Sequence, residues 1–295
     1  MRGTGSSNLR TKFFEVDLLR KMEGFLRFSF LDDDKGIVVA EFNSLDNFFS
    51  GRRNWYSDNF ADWTDDWPLL KFAVRDLRFI DPAMSAAFGP DGRSRTLGNM
   101  HLQVLDLAGR CIGSYWVPDI TMQDWHAREP GLLDCSMVGW VGMPPDIDAP
   151  EVWDAFRVGP PAAKNNWAEL PPGRREAWLE VISKYKPATP LAETRQLPRQ
   201  SVTLDGRFIV DPASFFCAIG EAINGPGGYF GCNIPSLHDC LRGGFGIEGD
   251  FVLNWQNYNV AQSNLNMVLD TEGSNSFLDV ILDVFGRAGK TIVFS

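Results

Sequence analysis

The sequence lacks the run of about 18 apolar residues that even a short membrane-spanning helix needs. Its N-terminus carries basic side chains with no apolar stretch after them, so we expect no cleaved secretion signal and no membrane contact, and we predict a cytoplasmic protein. Cysteine is scarce as well, with five dispersed residues and no CxxC pair. This excludes a disulfide framework and a structural zinc site, and it predicts reduced, mostly buried thiols.

Sequence motifs of the common enzyme classes are also missing. There is no HExxH, no GxSxG and no Walker loop. His101 and His126 lie far apart in the sequence and have no evident nucleophile, so we interpret both as structural. We therefore predict a protein that is not an enzyme and that needs no metal ion or cofactor.

Basic residues are too few for a surface that binds nucleic acid. The chain has 28 Lys and Arg against 38 Asp and Glu, a net charge of −10. Binding dominated by phosphate contacts needs a basic face, so direct contact with nucleic acid is not expected. From residue 201 onward the sequence has ten acidic and four basic residues, a net of −6 in 95 residues. This denser negative charge favours a basic partner.

Residues 1–186 are predicted to form an α+β domain in which antiparallel strands are followed by helices. Alternation of apolar and polar residues between turn residues indicates the strands, and flanking proline and glycine delimit the helices. The strands are expected in 25–42 (a hairpin), 69–80, 98–120 and 132–143, and the helices in 149–159 and 173–186. No family resemblance is evident for this part.

Two further segments of the chain show no clear periodicity. Residues 54–68 are dense in aromatic and acidic residues. We interpret them as a loop or short helix that its tryptophans anchor on the core, the alternative being an exposed patch. Residues 187–200 hold three prolines, which predicts an interdomain linker.

Residues 201–295 are predicted to form a second, α/β domain. Asp211 is a suitable N-cap for its first helix, and Pro212 suits the first turn. Strands that alternate with helices imply a small, mainly parallel three-stranded sheet covered by helices. The strands are expected in 201–209, 250–255 and 291–295, and the longer helices in 211–224 and 274–290.

The stretch GGYFGCNIPSLHDCL, residues 227–241, is a glycine-rich loop that leads directly into a short helix. A phosphate-binding loop would carry a lysine after its glycines, and none is present. Asn233 is a suitable N-cap, Pro235 is tolerated in the first turn, and the pair Gly243–Gly244 ends the helix.

The two sides of this short helix are predicted to differ. At about 100° per residue, one side packs and the other is exposed. The packed side consists of Ile234, Leu237, Cys240 and Leu241, and the exposed side of Pro235, His238, Asp239 and Arg242. The preceding glycines let the backbone bring Tyr229 and Phe230 beside the exposed side.

Residues 201–295 resemble the barstar family of intracellular ribonuclease inhibitors. The likeness covers the predicted order of strand, helix, loop, short helix, strand, helix and strand, and the closing TIVFS. The pattern is a tyrosine–aromatic–glycine loop followed by Asn-aliphatic and then by Asp-Cys-Leu. As evidence for a family, this pattern is far more specific than a lone glycine motif. The residues that carry the likeness are Tyr229, Phe230, Gly231, Asn233, Ile234, Leu237, Asp239, Cys240, Leu241 and Gly243.

The resemblance implies an immunity or antitoxin-like protein that occludes the basic active site of a bacterial ribonuclease or nuclease toxin. Asp239 would stand where a phosphate sits and pair with arginine or lysine. Asp283 matches a second family position that bears a carboxylate in contact with the enzyme. The whole expected partner surface is Tyr229, Phe230, Gly231, Asn233, Ile234, Pro235, His238, Asp239, Arg242, Gly243, Phe245 and Asp283.

Three positions depart from the family pattern. Pro235 replaces an acidic contact residue, and His238 stands where the family often has tryptophan. Phe245 matches a contact aromatic only loosely, and the side chain of His238 could face the partner or the solvent. These differences indicate that the partner is not barnase itself.

Two other functions stay open at the level of the sequence. The first domain could be an enzyme that the barstar-like domain regulates, or the chain could be a two-domain binding or scaffold protein. Of these two we prefer the binding protein, because the aromatic and acidic segment 54–68 suits contacts more than catalysis.

Overall fold

A computed structural model describes residues 26–51, 68–89, 91–186, 201–247, 249–267 and 276–295 of the chain. The predicted linker 187–200 and nearly all of the predicted loop 54–68 lie outside the described residues. We refer below to residues 26–186 as the N-terminal region and to residues 201–295 as the C-terminal region.

The N-terminal region is built on one antiparallel sheet. Its strands are β1 (Phe28–Asp32), β2 (Ile37–Phe42), β3 (Ser44–Asp46), β4 (Leu69–Phe79), β5 (Asp91–Leu105), β6 (Cys111–Glu129) and β7 (Leu132–Trp140). Its helices are α1 (Pro82–Ala87), α2 (Ala149–Val158) and α3 (Pro172–Lys184), with a 3₁₀ turn at Asn166–Glu169. The strands predicted in 25–42, 69–80, 98–120 and 132–143 and the helices predicted in 149–159 and 173–186 are present, whereas the short strand β3 and the short helix α1 were not predicted.

The strand order in this sheet is β2-β1-β5-β6-β7-β4-β3, and an additional pairing of β2 with β4 closes the sheet on itself. At the closure Ala40 lies opposite Phe79. Closure removes open edges and encloses an apolar interior. Fully or nearly fully buried side chains from different strands fill it, among them Phe30, Val74, Leu102, Val117, Ile120 and Met137.

The C-terminal region contains a three-stranded parallel sheet with helices around it. Its strands are β8 (Ser201–Asp205), β9 (Val252–Gln256) and β10 (Thr291–Phe294), with β9 in the centre. Its helices are α4 (Pro212–Asn224), α5 (Ile234–Leu241), α6 (Tyr258–Leu265) and α7 (Phe277–Arg287). The predicted fold class is thus confirmed in both regions, as an antiparallel sheet with helices followed by a small parallel sheet with helices.

The local signals read from the sequence explain most of these C-terminal elements. The Asp211 carboxylate accepts a hydrogen bond from the Ser214 amide at 2.7 Å, which completes a capping box at the start of α4. The helical period places Phe215, Phe216 and Ile219 on one side of α4, and all three are fully buried. The apolar period of α7 predicts Val280 in the core, but its side chain is only half-buried and Leu278 is buried instead.

Two C-terminal features were not anticipated. Helix α6 was not predicted, because it buries only Ala261 and Leu265 and its apolar stripe is correspondingly weak. Strand β10 is apolar in sequence but lies at the edge of the sheet, where Val293 and Phe294 remain about half exposed.

The two regions touch through helices. Helix α3 of the N-terminal region packs against α4 of the C-terminal region. Arg175 on α3 is buried and forms an ion pair with Asp211, the N-cap of α4. The domain limits at 186 and 201 stay a prediction, since the segment between them is outside the described residues.

Candidate functional site

The loop that leads into α5 has a backbone shape that only glycine adopts easily at residue 231. Gly231 has φ of +89°, and a Cβ built there would lie 2.8 Å from the backbone nitrogen of Leu237. The loop therefore lies directly against the helix that it introduces. A larger residue at this position would push the loop away from α5.

Helix α5 begins at a complete capping box. The Asn233 side-chain oxygen accepts from the Ser236 amide at 2.9 Å, and the Ser236 hydroxyl accepts from the Asn233 amide at 3.0 Å. The same hydroxyl also accepts from the Cys232 amide at 2.8 Å. The predicted N-cap is confirmed, and Ser236, which the sequence pattern did not single out, holds the two successive residues Cys232 and Asn233 in place.

The two sides of α5 differ as the helical periodicity predicted. Leu237, Cys240 and Leu241 are buried, and Ile234 is half-buried. On the other side Pro235, Asp239 and Arg242 are exposed, while His238 is partly exposed. We call this second set, with Tyr229 and Phe245, the acidic face of the C-terminal region.

Asp239 is the carboxylate of the acidic face, and it is highly accessible. Its side chain is 72% exposed, and the His238 ring nitrogen Nδ1 lies 3.7 Å from its Oδ1. Asp283 on α7 is 51% exposed, and its carboxylate accepts from the Arg287 guanidinium at 2.8 Å. Helix α5 packs against α7, so the two acids are on neighbouring helices, but Asp283 already has a basic partner.

The rings of Tyr229 and Phe245 flank α5 on its two loops. Their centroids are 6.4 Å apart in an edge-to-face arrangement. The Asn224 side-chain amide donates to the backbone oxygens of Tyr229 at 2.7 Å and of Phe245 at 2.9 Å. This residue at the end of α4 thus joins the loop before α5 to the loop after it. The sequence signal for this bridge is an asparagine just before a glycine-rich loop, which by itself predicts only the end of the helix.

The expectation that Phe230 is an exposed ring is corrected by the structure. Its side chain is completely buried, so it belongs to the core beneath the loop and does not lie on the surface. Gly231 is buried as well. Tyr229 is half-buried, so its ring is partly exposed, while the Phe230 ring lies in the core.

Burial keeps the groups beneath the acidic face uncharged. Burial, with a smaller contribution from Cys232, raises the pKa of the Tyr229 phenol well above its usual range. Burial, with smaller contributions from Cys232 and Asp239, raises the pKa of the Cys240 thiol to about 12. Both groups are neutral near pH 7, so negative charge on this face comes from carboxylates. All five cysteines are free thiols and four are buried, as predicted.

The candidate groups of the N-terminal region do not come together. The His101 ring lies with Nε2 3.1 Å from the Asp33 Oδ1, so the ring nitrogen donates to the carboxylate, and His101 lies opposite Trp116 on β6. His126 is on β6, ten residues after Trp116. Ten residues of strand span about 30 Å. Nothing in the arrangement joins the two histidines into one site.

Among the buried acids of the N-terminal region, Glu180 on α3 is completely buried. It accepts from the Tyr115 hydroxyl at 2.8 Å and from the Asp146 amide at 3.0 Å. The Trp153 indole donates to the same tyrosine oxygen at 2.8 Å. These contacts join α2, α3 and the sheet inside the core, so the carboxylate serves the packing of these elements.

Within the ranges that the structure describes, no three His, Cys, Asp or Glu side chains come together as ligands of a metal ion. None of the described helices is long and apolar enough to cross a membrane.

Residues 199–291 match the family model described as Barstar (barnase inhibitor). The matched segment contains every residue of the acidic face and Asp283, and the part of the chain before it has no family match. No curated protein matches the chain. The likeness first seen in the loop and short helix is thus confirmed for the C-terminal third, and it indicates a ribonuclease-inhibitor-like binding function for that part.

Proposed function

We propose that this protein is a nuclease inhibitor, an immunity or antitoxin-like protein whose acidic face plugs the basic active site of a bacterial ribonuclease toxin. The single observation that supports this most is the exposed Asp239 carboxylate on a helix fixed by a capping box. A ribonuclease holds its substrate through phosphate, so its active site presents cationic side chains. A carboxylate on a rigid support is a suitable substitute for that phosphate.

The mechanism is occlusion without a chemical step. Asp239 pairs with an arginine or lysine of the nuclease, while Tyr229, His238 and Phe245 cover the rim of the cleft. Pro235, Arg242 and Gly243 contribute surface around the carboxylate, and the backbone near Asn233 and Ile234 lines the loop side. The buried Phe230 supports the loop from below. Asp283 offers a second carboxylate, which must exchange its Arg287 partner for one on the nuclease.

Rigidity of the acidic face contributes to affinity. The capping box at Asn233 and the Asn224 bridge between the two loops hold the face before binding. Fewer degrees of freedom are then lost on association. The negative charge of the C-terminal region, −6 over 95 residues, adds long-range attraction to a basic nuclease and speeds the encounter.

The proposal is tested with the full chain and a panel of bacterial ribonucleases that includes barnase. Wild type should bind at least one of them, more tightly at low salt than at high salt. Asp239→Ala should weaken that complex by about 2–5 kcal/mol, because a charge-paired anchor is lost. Binding is measured by titration calorimetry together with inhibition of RNA cleavage.

Asp34→Ala is the matched control, since Asp34 is an exposed acid in the β1–β2 turn of the N-terminal region and is not part of the acidic face. It should bind as wild type does. A complex that is equally tight with Asp239→Ala would move the interface elsewhere on the molecule. Failure of the wild type to bind or inhibit any member of the panel at low salt would contradict the proposed function.

A further inference from the structure

The carboxylate of Glu221 lies between the two regions and is almost completely buried, with 2% of the residue exposed. It projects from the last turn of α4. One oxygen accepts from the Gly227 amide at 2.9 Å, within the loop that leads to Tyr229. The other accepts from the Asn165 amide of the N-terminal region at 2.6 Å. A single side chain therefore ties the loop before the acidic face to the other half of the molecule.

The loop also touches the N-terminal region directly at Gly227. This residue has φ of +66°, and a Cβ built there would lie 2.9 Å from Cδ of Pro161 and 3.5 Å from the Phe156 ring. Only a glycine satisfies both the backbone conformation and this close approach. The start of the loop is thus pressed against the segment that follows α2.

Helix α4 is held by the N-terminal region at both ends. At its start, Arg175 forms an ion pair with the N-cap Asp211. At its end, Glu221 receives the Asn165 amide. One turn further on, the Asn224 side-chain amide donates hydrogen bonds to the backbone oxygens of Tyr229 and Phe245. A path of direct contacts therefore runs from the N-terminal region through α4 to both rings of the acidic face.

We infer that the N-terminal region is a platform that positions the inhibitory loop, with Glu221 as the positioning residue that joins them. A buried carboxylate that loses a hydrogen bond from an amide is energetically unfavourable. Glu221 therefore resists movement of the Gly227 loop relative to Asn165. The loop 225–231 is then stiffer in the whole chain than its glycine content allows on its own. The consequence for nuclease binding rests on the function proposed above.

The positioning role is tested by hydrogen exchange of the full chain, followed by mass spectrometry. In Glu221→Gln the side-chain nitrogen cannot accept a hydrogen bond, so one of the two amides loses its acceptor. The amides of 225–231 should exchange about tenfold faster, because a hydrogen bond to a charged acceptor is lost. Amides of β8 and β9 should keep their protection. Glu169→Gln, at an exposed glutamate of the 3₁₀ turn, should leave the exchange unchanged.

A second variant changes only the N-terminal side. Pro161→Ala removes ring atoms that face Gly227 and leaves every residue of the C-terminal region intact. Exchange of 225–231 should rise here as well, by a smaller factor than in Glu221→Gln. Unchanged exchange of this loop in both variants, or an equal increase throughout the C-terminal region in both, would overturn the inference.

The exchange experiment uses no nuclease, so it decides the positioning role even if the proposed function fails. Conversely, a nuclease that binds wild type and loses affinity for Asp239→Ala supports the proposed function whatever the exchange shows. With such a nuclease, Glu221→Gln should lower the association rate or raise the dissociation rate, although Glu221 itself is buried away from the partner.

Discussion

Glu180 in the N-terminal region and Asp239 in the C-terminal region are both helical acids, but the fold uses them in opposite ways. Glu180 is completely buried and receives hydrogen bonds from Tyr115 and from the Asp146 backbone. Asp239 is 72% exposed, and its nearest basic neighbour is a histidine at 3.7 Å. The first carboxylate has its hydrogen-bonding capacity engaged within the core, whereas the second remains available to another molecule.

The same contrast extends to the sheets around the two acids. The N-terminal sheet closes on itself and surrounds a core rich in large side chains. The C-terminal sheet is small, and beside it a capping box fixes a short helix and its loop. The comparison teaches that a candidate binding acid is recognised by rigid support combined with exposure, and that an acid in a dense core supports stability.

The largest expected effect on the free energy of unfolding comes from comparing two phenylalanines, one in the core and one at the surface. Phe230→Ala should lower the free energy of unfolding by about 3–5 kcal/mol, because a fully buried ring is replaced by a cavity. Phe245→Ala, at a ring that is 44% exposed, should change it by less than about 1 kcal/mol. Urea unfolding followed by circular dichroism measures both. Equal costs would show that the loop is packed differently.

The pair of acids sharpens the comparison further. Glu180→Ala should cost about 3 kcal/mol of unfolding free energy, since the Tyr115 hydroxyl and the Asp146 amide lose a buried acceptor. Asp239→Ala should leave the unfolding free energy within about 0.5 kcal/mol of wild type. Nuclease binding should respond in the opposite order. If Asp239→Ala destabilised the fold as much as Glu180→Ala does, the contrast between the two regions would not hold.

The smallest expected effect is a dependence of stability on alkaline pH. Burial raises the pKa of Cys240 from its ordinary 9.0 to about 12 and that of Cys135 in the N-terminal sheet likewise to about 12. Folding therefore favours the protonated thiols. Their contribution to stability is complete below pH 9.0 and is lost as the pH rises from 9.0 towards 12. Each region should thus lose stability through its own buried cysteine.

Cys240→Ala and Cys135→Ala, compared with wild type, test this dependence. Urea unfolding at about pH 8 and about pH 10.5 should show a smaller loss of stability in each variant than in wild type, because one titrating thiol is absent. An identical loss in wild type and both variants would assign the alkaline sensitivity to other groups.

Local patterns predicted most elements of both regions. Alternation along β1 and β2 with the Asp-rich turn between them predicted the first hairpin, and the side-chain caps at Asp211 and Asn233 predicted where α4 and α5 begin. The exposed and buried sides of α5 followed from the helical period alone. These predictions succeeded because each depends on residues within a few positions of one another.

Predictions that depended on distant residues were weaker. Two adjacent aromatics in a loop do not reveal which ring points inward, and Phe230 was placed on the wrong side. The bridge from Asn224 to Tyr229 and Phe245 joins residues up to 21 positions apart. The contact of Glu221 with Asn165 spans 56 positions. No periodicity or cap signals such contacts, because they exist only after the helices have packed.

The sequence alone therefore predicted the main features of the short helix: its N-cap, its end at glycine and its exposed carboxylate. It also showed the likeness to a family of inhibitors. Closure of the first sheet and the anchoring of α4 at both ends by the N-terminal region emerged from packing. Short-range hydrogen bonds and helical periodicity act within single segments, whereas buried surface and long-range hydrogen bonds arise between segments that the chain brings together in space.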